Sequence, residues 1–414
     1  MKKNSIFLII SAIILSAAVV FTPVSSNLLP QTAITAEAAS KYPLNYKSKQ
    51  LIKGESFSLK ANSSKKVTYK SSKPSVASVT SNGVVKGKKA GTAVITVRIG
   101  KKKYTCKITV KDTVDLILFS GQSNMTGRGT ASLAPTLIDG AGYECKTVTD
   151  VNKLTPIAEP FGLGQDSGSM RDGDLRTGSM VTAFVNEYYK RTKVPVVGVS
   201  ATVVGSGRVS WSTTHYKEAA KRLNKAQKAL KKKGIKIRHI YMVYMQGEND
   251  GFAGSSTTEY KNSLKLLYQN MKKRTDVEAC MIIRIGSYIP QPSLYNHVIK
   301  AQTQLCKTDE DFVLISAKAA GFTASYYQQD GLHLTQKALN VLGKDAGKYA
   351  SIYANTGIEP NMKDPKYNNT YKPNATKSKE TTKENTKDTT KEATESAKSN
   401  PDLSVSVNSG VYLY

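Results

Sequence analysis

The sequence predicts an α/β domain built on a parallel sheet, preceded by a small all-β domain. Three observations predict it. Between residues 112 and 357, short apolar runs of β-type residues alternate with longer stretches of helical period. Continuous apolar strands joined by helices make a parallel sheet covered on both faces. Between residues 41 and 111, short β-rich runs recur, separated by Gly54, Ser81-Asn82-Gly83 and Lys89-Ala90-Gly91, which are turn signals. The charge divides along the same lines. The chain carries 60 Lys+Arg against 31 Asp+Glu, a net of +29, yet residues 41–111 hold 18 of those cations and a single acid, Glu55. Residues 112–357 hold 31 against 21, and residues from 358 on hold 9 against 8.

The first residues set the compartment. Lys2 and Lys3 precede an uncharged run from Ile6 to Phe21, and Ala36-Glu37-Ala38 has the small residues of a cleavage site. This is the layout of a secretory signal peptide over residues 1–38, so the protein is expected to be secreted, with no transmembrane segment after cleavage. Export excludes a nucleic-acid partner despite the basic charge. Cys106, Cys145, Cys280 and Cys306 allow three pairings. Buried free thiols are the simplest reading, because Cys106 stands in a different region from the others, and Cys280–Cys306 is the pairing to test first. No C-x-x-C spacing suggests zinc.

In the β region the expected strands are Ser56–Leu59, Val67–Tyr69, Val76–Val79, Ala93–Val97 and Tyr104–Val110, a small antiparallel sandwich or barrel. In the α/β region they are Val114–Ser120, Val194–Thr202, His239–Gln246, Cys280–Gly286 and Phe312–Ser316. The expected helices are Ser179–Lys190, Tyr216–Lys232, Glu259–Lys273, Ser293–Cys306 and Thr335–Ala354. Gly127–Arg176 contains no clear strand and is rich in Gly and Asp. A loop that long is usually functional, and it is expected to shape a pocket, with Ala158–Gly164 near the site. Residues 358–414 include TKSKETTKENTKDTTKEATESAKSN, a mixed-charge, low-complexity composition expected to be disordered.

Ligands of such sheets sit outside the carboxyl ends of the strands. There the sequence delivers Ser120-Gly121-Gln122-Ser123-Asn124-Met125, then Val204-Gly205-Ser206-Gly207 followed by Trp211, then Gln246-Gly247-Glu248-Asn249-Asp250, and last Asp330-Gly331-Leu332-His333. Read as chemistry, these parts make an acyl-transfer site. A serine hydroxyl is a weak nucleophile and needs a base beside it. His333 is the natural base, and Asp330, three residues earlier, is placed to fix its tautomer. Of the other histidines, His239 opens a strand and His297 lies in a helical stretch, while His215 follows Trp211 and is a candidate substrate contact. The amides of Ser123 and Gly205 and the side chain of Asn249 are candidate donors to an oxyanion. Such a site needs no metal and no cofactor. Trp211 reads as a packing residue of the oxyanion loop, with sugar stacking as the alternative. Glu248 with Asp250 as a catalytic carboxylate pair ranks below the Ser–His reading.

Two resemblances sharpen this. Residues 67–97, VTYKSSKPSVASVTSNGVVKGKKAGTAVITV, resemble a bacterial Ig-like group 2 domain, which implies a spacer or adhesion module over 41–111. The four ordered blocks in residues 112–357 resemble an SGNH (GDSL-like) hydrolase of the sialate O-acetylesterase and carbohydrate esterase family six type. The resemblance implies a three-layer α/β/α fold and hydrolysis of acetyl esters on sugars. It implies Ser123 as nucleophile, His333 as base, Asp330 as its orienter, and Gly205 and Asn249 as oxyanion donors. Gln122, Gln246 and Glu248 would support the site or touch substrate. Counting back from Trp211 without a gap puts Val204-Gly205 where the family carries Gly-Gly, while a shifted alignment points to Gly207. The expected substrate is an acetylated polysaccharide or sialic acid. The alternatives are a lipase or thioesterase on the same scaffold, or a surface protein acting mainly through residues 41–111, whose charge suits an anionic wall polymer or acidic polysaccharide.

Overall fold

The computed structural model describes residues 42–172 and 175–360. The expected leader, and the expected tail beyond residue 360, lie outside the described residues.

The N-terminal strands form two sheets. β1 (Ser48–Ile52), β3 (Val67–Ser71), β6 (Gly91–Ile99) and β7 (Lys102–Lys111) make one, in the order β1-β7-β6-β3. β2 (Ser56–Ser58), β4 (Ala77–Val79) and β5 (Val84–Gly87) make the other, in the order β2-β5-β4. Period-two alternation explains the faces: Ala93, Ile95, Val97, Cys106, Ile108 and Val110 are buried between the sheets, and their neighbours along the strands point out. The sandwich is not wholly antiparallel, because β1 pairs with β7 in parallel. β1 and β5 are strands that the sequence pattern did not indicate. In β5 only Val85 of the two valines is buried, so the apolar signal is short.

The larger domain begins with β8 (Thr113–Gly121), which enters a seven-stranded sheet immediately after β7. After it come α1 (Ser123–Thr126), β9 (Gly142–Cys145), β10 (Leu154–Pro156), α2 (Val181–Thr192) and β11 (Val196–Thr202). Then follow α3 (Arg208–Ser210), a π-helical turn Trp211–His215, α4 (Tyr216–Lys232), β12 (Lys236–Met245), α5 (Glu248–Phe252) and α6 (Thr257–Lys272). The chain closes with β13 (Ala279–Ile283), α7 (Asn296–Thr308), β14 (Phe312–Ser316) and α8 (Gln336–Thr356). The order is β10-β9-β11-β8-β12-β13-β14, parallel throughout except for the edge strand β10.

This is the three-layer α/β/α fold. Along β8, Leu116 and Leu118 pack under α4, α6 and α7, whereas Ile117 and Phe119 pack under α2 and α8. The side chains of β8 from Val114 on, of β11, and of β12 from Ile240 on are buried on one face or the other, which is why these stretches read as continuous apolar runs. α6 starts on a capping box, Ser256 with Glu259. The expectation of a strandless Gly127–Arg176 is corrected: β9 and β10 extend the sheet. All four residues of β9 are buried, but one is Glu144, which breaks the apolar run. All four cysteines are buried free thiols, so Cys280 and Cys306 are not paired. Among the described residues no helix is long and apolar enough to cross a membrane.

Candidate active site

Ser123 is the first residue of α1, two residues beyond the end of β8. Gly121 makes that abrupt turn feasible. Its φ is +142°, and a Cβ there would lie 1.9 Å from the Met245 carbonyl oxygen, so only glycine allows β8 and β12 to meet behind the serine. The Ser123 Oγ lies 3.0 Å from His333 Nε2. His333 Nδ1 lies 2.6 Å from Asp330 Oδ2. The other Asp330 oxygen accepts the backbone N–H groups of Leu332 and His333, each at 2.9 Å. Burial pushes the Asp330 carboxyl up, but the His333 side chain and those amides outweigh it and hold it below the usual aspartate range. The structure thus brings Ser123, His333 and Asp330 into one chain of contacts.

Gln122, Gln246 and Glu248 are buried. Gln122 Oε1 accepts from Gln246 Nε2 at 3.1 Å and from the backbone of Gly247 at 3.2 Å and Asn249 at 3.4 Å. Gln246 Nε2 also reaches the Ser206 carbonyl at 3.0 Å and Asp250 Oδ2 at 2.6 Å. These side chains therefore lock the loops after β8, β11 and β12 together. Gly205 and Asn249 sit on two of those loops. Gly205 has φ +68° and open space where a Cβ would be. Neither its N–H nor the Asn249 side-chain amide has a hydrogen-bond partner among the described residues.

Trp211 is fully buried and donates from Nε1 to Ser206 Oγ at 2.8 Å, which rules out sugar stacking and makes it a prop under the Gly205 loop. His215 packs edge-on against Trp211, and burial pushes its imidazole pKa down. His239 lies 2.8 Å from Glu278. Asp250 accepts from Gln246, the Arg208 backbone and Ser255, while Glu248 accepts from Asn124. Burial raises both carboxyls, but their bonds are those of internal braces.

Three residues carry weight that sequence reasoning missed. Asn124 donates to Glu248 Oε1 at 2.7 Å and to the Leu332 carbonyl at 3.3 Å, and accepts from Leu334 N–H at 2.9 Å. It pins the histidine segment to the serine turn. Its place directly after Ser123 was the available signal. Arg128 Nη1 lies 3.5 Å from His333 Nε2.

The third residue is Asp172, in the long loop. It accepts from Val204 N–H at 2.9 Å, from Thr202 Oγ1 at 2.9 Å and from Thr126 Oγ1 at 3.4 Å, and pairs with buried Arg176. Burial raises its carboxyl against the pull of Arg176. It joins the serine helix to the Gly205 loop. Ala158–Gly164, in contrast, is structural: Glu159 accepts four hydrogen bonds from Ser179 and Thr182 at the start of α2, and Phe161 packs on Phe119. Asp172→Asn is expected to lower kcat about ten- to a hundredfold through misplacement of that loop. It should also destabilise the fold by about 3–5 kcal/mol, because Arg176 is left buried and uncompensated. Steady-state kinetics and a thermal melt check both. Adding Arg176→Gln should restore the melt more than the rate.

Residues 113–354 match the family model described as carbohydrate esterase, sialic acid-specific acetylesterase. The chain belongs to this family. Residues 65–112 of the esterase match a bacterial Ig-like domain. Similar solved structures include a protein of Arabidopsis thaliana, at 21% identity over 58% of this chain and 98% of that one, with a TM-score of 0.45. They also include NanS, at 13% over 58% and 97%, TM-score 0.41. A further one is XAC1771 of Xanthomonas citri, described as a carbohydrate acetylesterase, at 12% over 74% and 72%, TM-score 0.36. No curated protein matches the chain.

Proposed function

We propose that this esterase is a secreted serine enzyme that removes O-acetyl groups from carbohydrate through Ser123, His333 and Asp330. The observation that carries the reading is the unbroken contact chain from Ser123 Oγ through both ring nitrogens of His333 to Asp330. In the first half-reaction Ser123 Oγ attacks the acetyl carbonyl carbon and its proton passes to His333 Nε2. Collapse of the tetrahedral intermediate breaks the bond to the sugar oxygen, which takes that proton and leaves as a hydroxyl. Water then attacks the acetyl-serine with the same imidazole as base, releasing acetate and restoring Ser123. Gly205 N–H, Ser123 N–H and Asn249 Nδ2 are assigned to the oxyanion, since donors held by Gln122 and Gln246 need not reorganise as charge develops. Asp330 keeps Nδ1 protonated and stabilises the imidazolium.

Acetate release from a panel of acetylated sialic acids and polysaccharides tests the substrate class; preference for long acyl esters would sink it. Asn249→Ala is expected to lower kcat about a hundred- to a thousandfold, with a smaller change in KM, because its side chain serves the transition state rather than the ground state. An unchanged kcat would remove Asn249 from the oxyanion site.

A further inference from the structure

The Ig-like domain carries a cationic face with no anion to answer it among the described residues. Its only acid, Glu55, is turned inwards: it accepts from the Ile52 N–H at 3.0 Å, bonds Tyr143 of the catalytic domain, and is raised by burial. The cations of this junction are satisfied. Lys49 pairs with Asp139, and Lys53 Nζ donates to the Gly234 carbonyl at 3.1 Å.

The remaining charge is organised by register. On the sheet β1-β7-β6-β3 the outward-facing residues form rows across the strands. Thr68 stands opposite Arg98, and Arg98 opposite Lys103. Lys70 stands opposite Thr96, and Thr96 opposite Thr105. Val94 stands opposite Lys107, and Lys107 opposite Ser48. Lys70, Arg98, Lys103 and Lys107 are exposed, and none has an ion pair among the described residues. At about 3.4 Å per residue and 4.8 Å between strands, the four cations lie within roughly 15 Å of one another.

We propose that this face binds an extended, hydroxyl-rich polymer bearing a repeated anionic group, namely a polyanionic glycan. The cations match the repeated charge, and the interleaved Thr and Ser hydroxyls match the chain between charges. Tyr69 and Tyr104 alternate to the other side of their strands, so the face offers no ring on which a nucleobase would stack. Val84 and Tyr46 are the exposed large apolar residues of the domain among those described, too few to enter a membrane.

The attachment also has a direction. The Ig-like domain meets the catalytic domain at the start of β9, at Gly234 just before β12, and at Tyr189 near the end of α2, whose hydroxyl donates to Gln50 Oε1 at 2.8 Å. Ser123, Gly205 and Asn249 lie beyond the opposite ends of the strands. The nine residues of β8 alone separate the two poles by roughly 30 Å. A polymer held on the cationic face leaves the Ser123 pocket open, and the binding does not depend on the catalytic assignment.

The test uses the purified full chain with polygalacturonate, which carries carboxylates, and poly(glycerol phosphate), which carries phosphates, each beside neutral dextran, an oligothymidylate and phosphatidylserine vesicles. The expected result is binding of polygalacturonate more tightly than of poly(glycerol phosphate), no binding of dextran, and a log–log fall of affinity with salt. The variant Lys70→Glu/Lys103→Glu/Lys107→Glu should lose at least about tenfold in affinity and keep its rate on a small soluble acetyl ester. A matched control on α4, Lys228→Glu/Lys231→Glu/Lys232→Glu, should bind like the parent. Tighter binding of poly(glycerol phosphate) than of polygalacturonate, or binding of neither, would overturn the glycan assignment. Salt-independent binding, tighter binding of the oligonucleotide or vesicles, or an equal loss in the control variant would each overturn the proposal.

Discussion

Ser123→Ala is expected to lower kcat/KM on an acetylated sugar by about four orders of magnitude or more, with an unchanged fold. The magnitude follows from what the hydroxyl does: without it no acetyl-enzyme forms, and what remains is oxyanion stabilisation and binding acting on a direct attack by water. The unchanged fold follows from its surroundings. Among the described residues the one hydrogen-bond partner of the Ser123 side chain is His333 Nε2, at 3.0 Å. The residue opens α1, where alanine is well tolerated. Loss of one oxygen atom from a 3%-exposed position removes no packing of consequence. The thermal midpoint should therefore stay within the shift expected of about 0.5 kcal/mol. Because serine and histidine act as a unit, Ser123→Ala/His333→Ala should be no slower than either single variant. Acetate release and a thermal melt decide the matter. A variant retaining more than about one per cent of activity would rule out Ser123 as the nucleophile, and a further drop in the double variant would mean that His333 acts independently.

The sequence made this site legible because its parts are local. Asp330 and His333 are three residues apart, and Ser123 follows a strand whose every residue from Val114 on is buried. The same continuity made β14 and α4 readable to the residue: β14 is five buried residues, and α4 carries a strongly amphipathic pattern ending in lysines. Where buried polar residues interrupt the pattern, the sequence is silent. β9 hides Glu144 inside the sheet, and burial raises its carboxyl to about 7. β10 ends in proline on an antiparallel edge, a position that the ladder tolerates but that reads as loop. Asn124 and Asp172 were invisible for another reason. Their partners, Leu334 and Val204, stand 210 and 32 residues away, and neither contact leaves a local spacing. The charge was legible as a sum over 41–111 but not as a surface. Only the register turns it into a face, and only the junction shows that Glu55 is spent on holding the domains together.

Asp330→Asn separates orientation from charge. Asp330 Oδ1 receives two backbone amides, and an asparagine oxygen can do the same. The local turn should therefore persist, with the side-chain NH2 placed where Oδ2 now receives His333 Nδ1 at 2.6 Å. Two N–H groups cannot face each other, so the imidazole is driven to carry its proton on Nε2, and it can no longer accept one from Ser123. The expected loss is about a thousand- to ten-thousandfold in kcat with KM nearly constant. A nitrogen-15 spectrum of the His333 ring should report the exchanged tautomer. The effect on stability should be small at neutral pH, because the Asp330 side chain is 46% exposed and such contacts are screened by water. The sign of its pH dependence is nonetheless defined. The folded-state pKa lies below the ordinary value of about 4, so the contact contributes stability above that value and loses it as pH falls through the folded one. The carboxylate thus stays ionised throughout the neutral and weakly acidic range. If Asp330→Asn kept the parental kcat, His333 would be held in its working tautomer by something other than Asp330, and the orienting role would pass to another group around the ring.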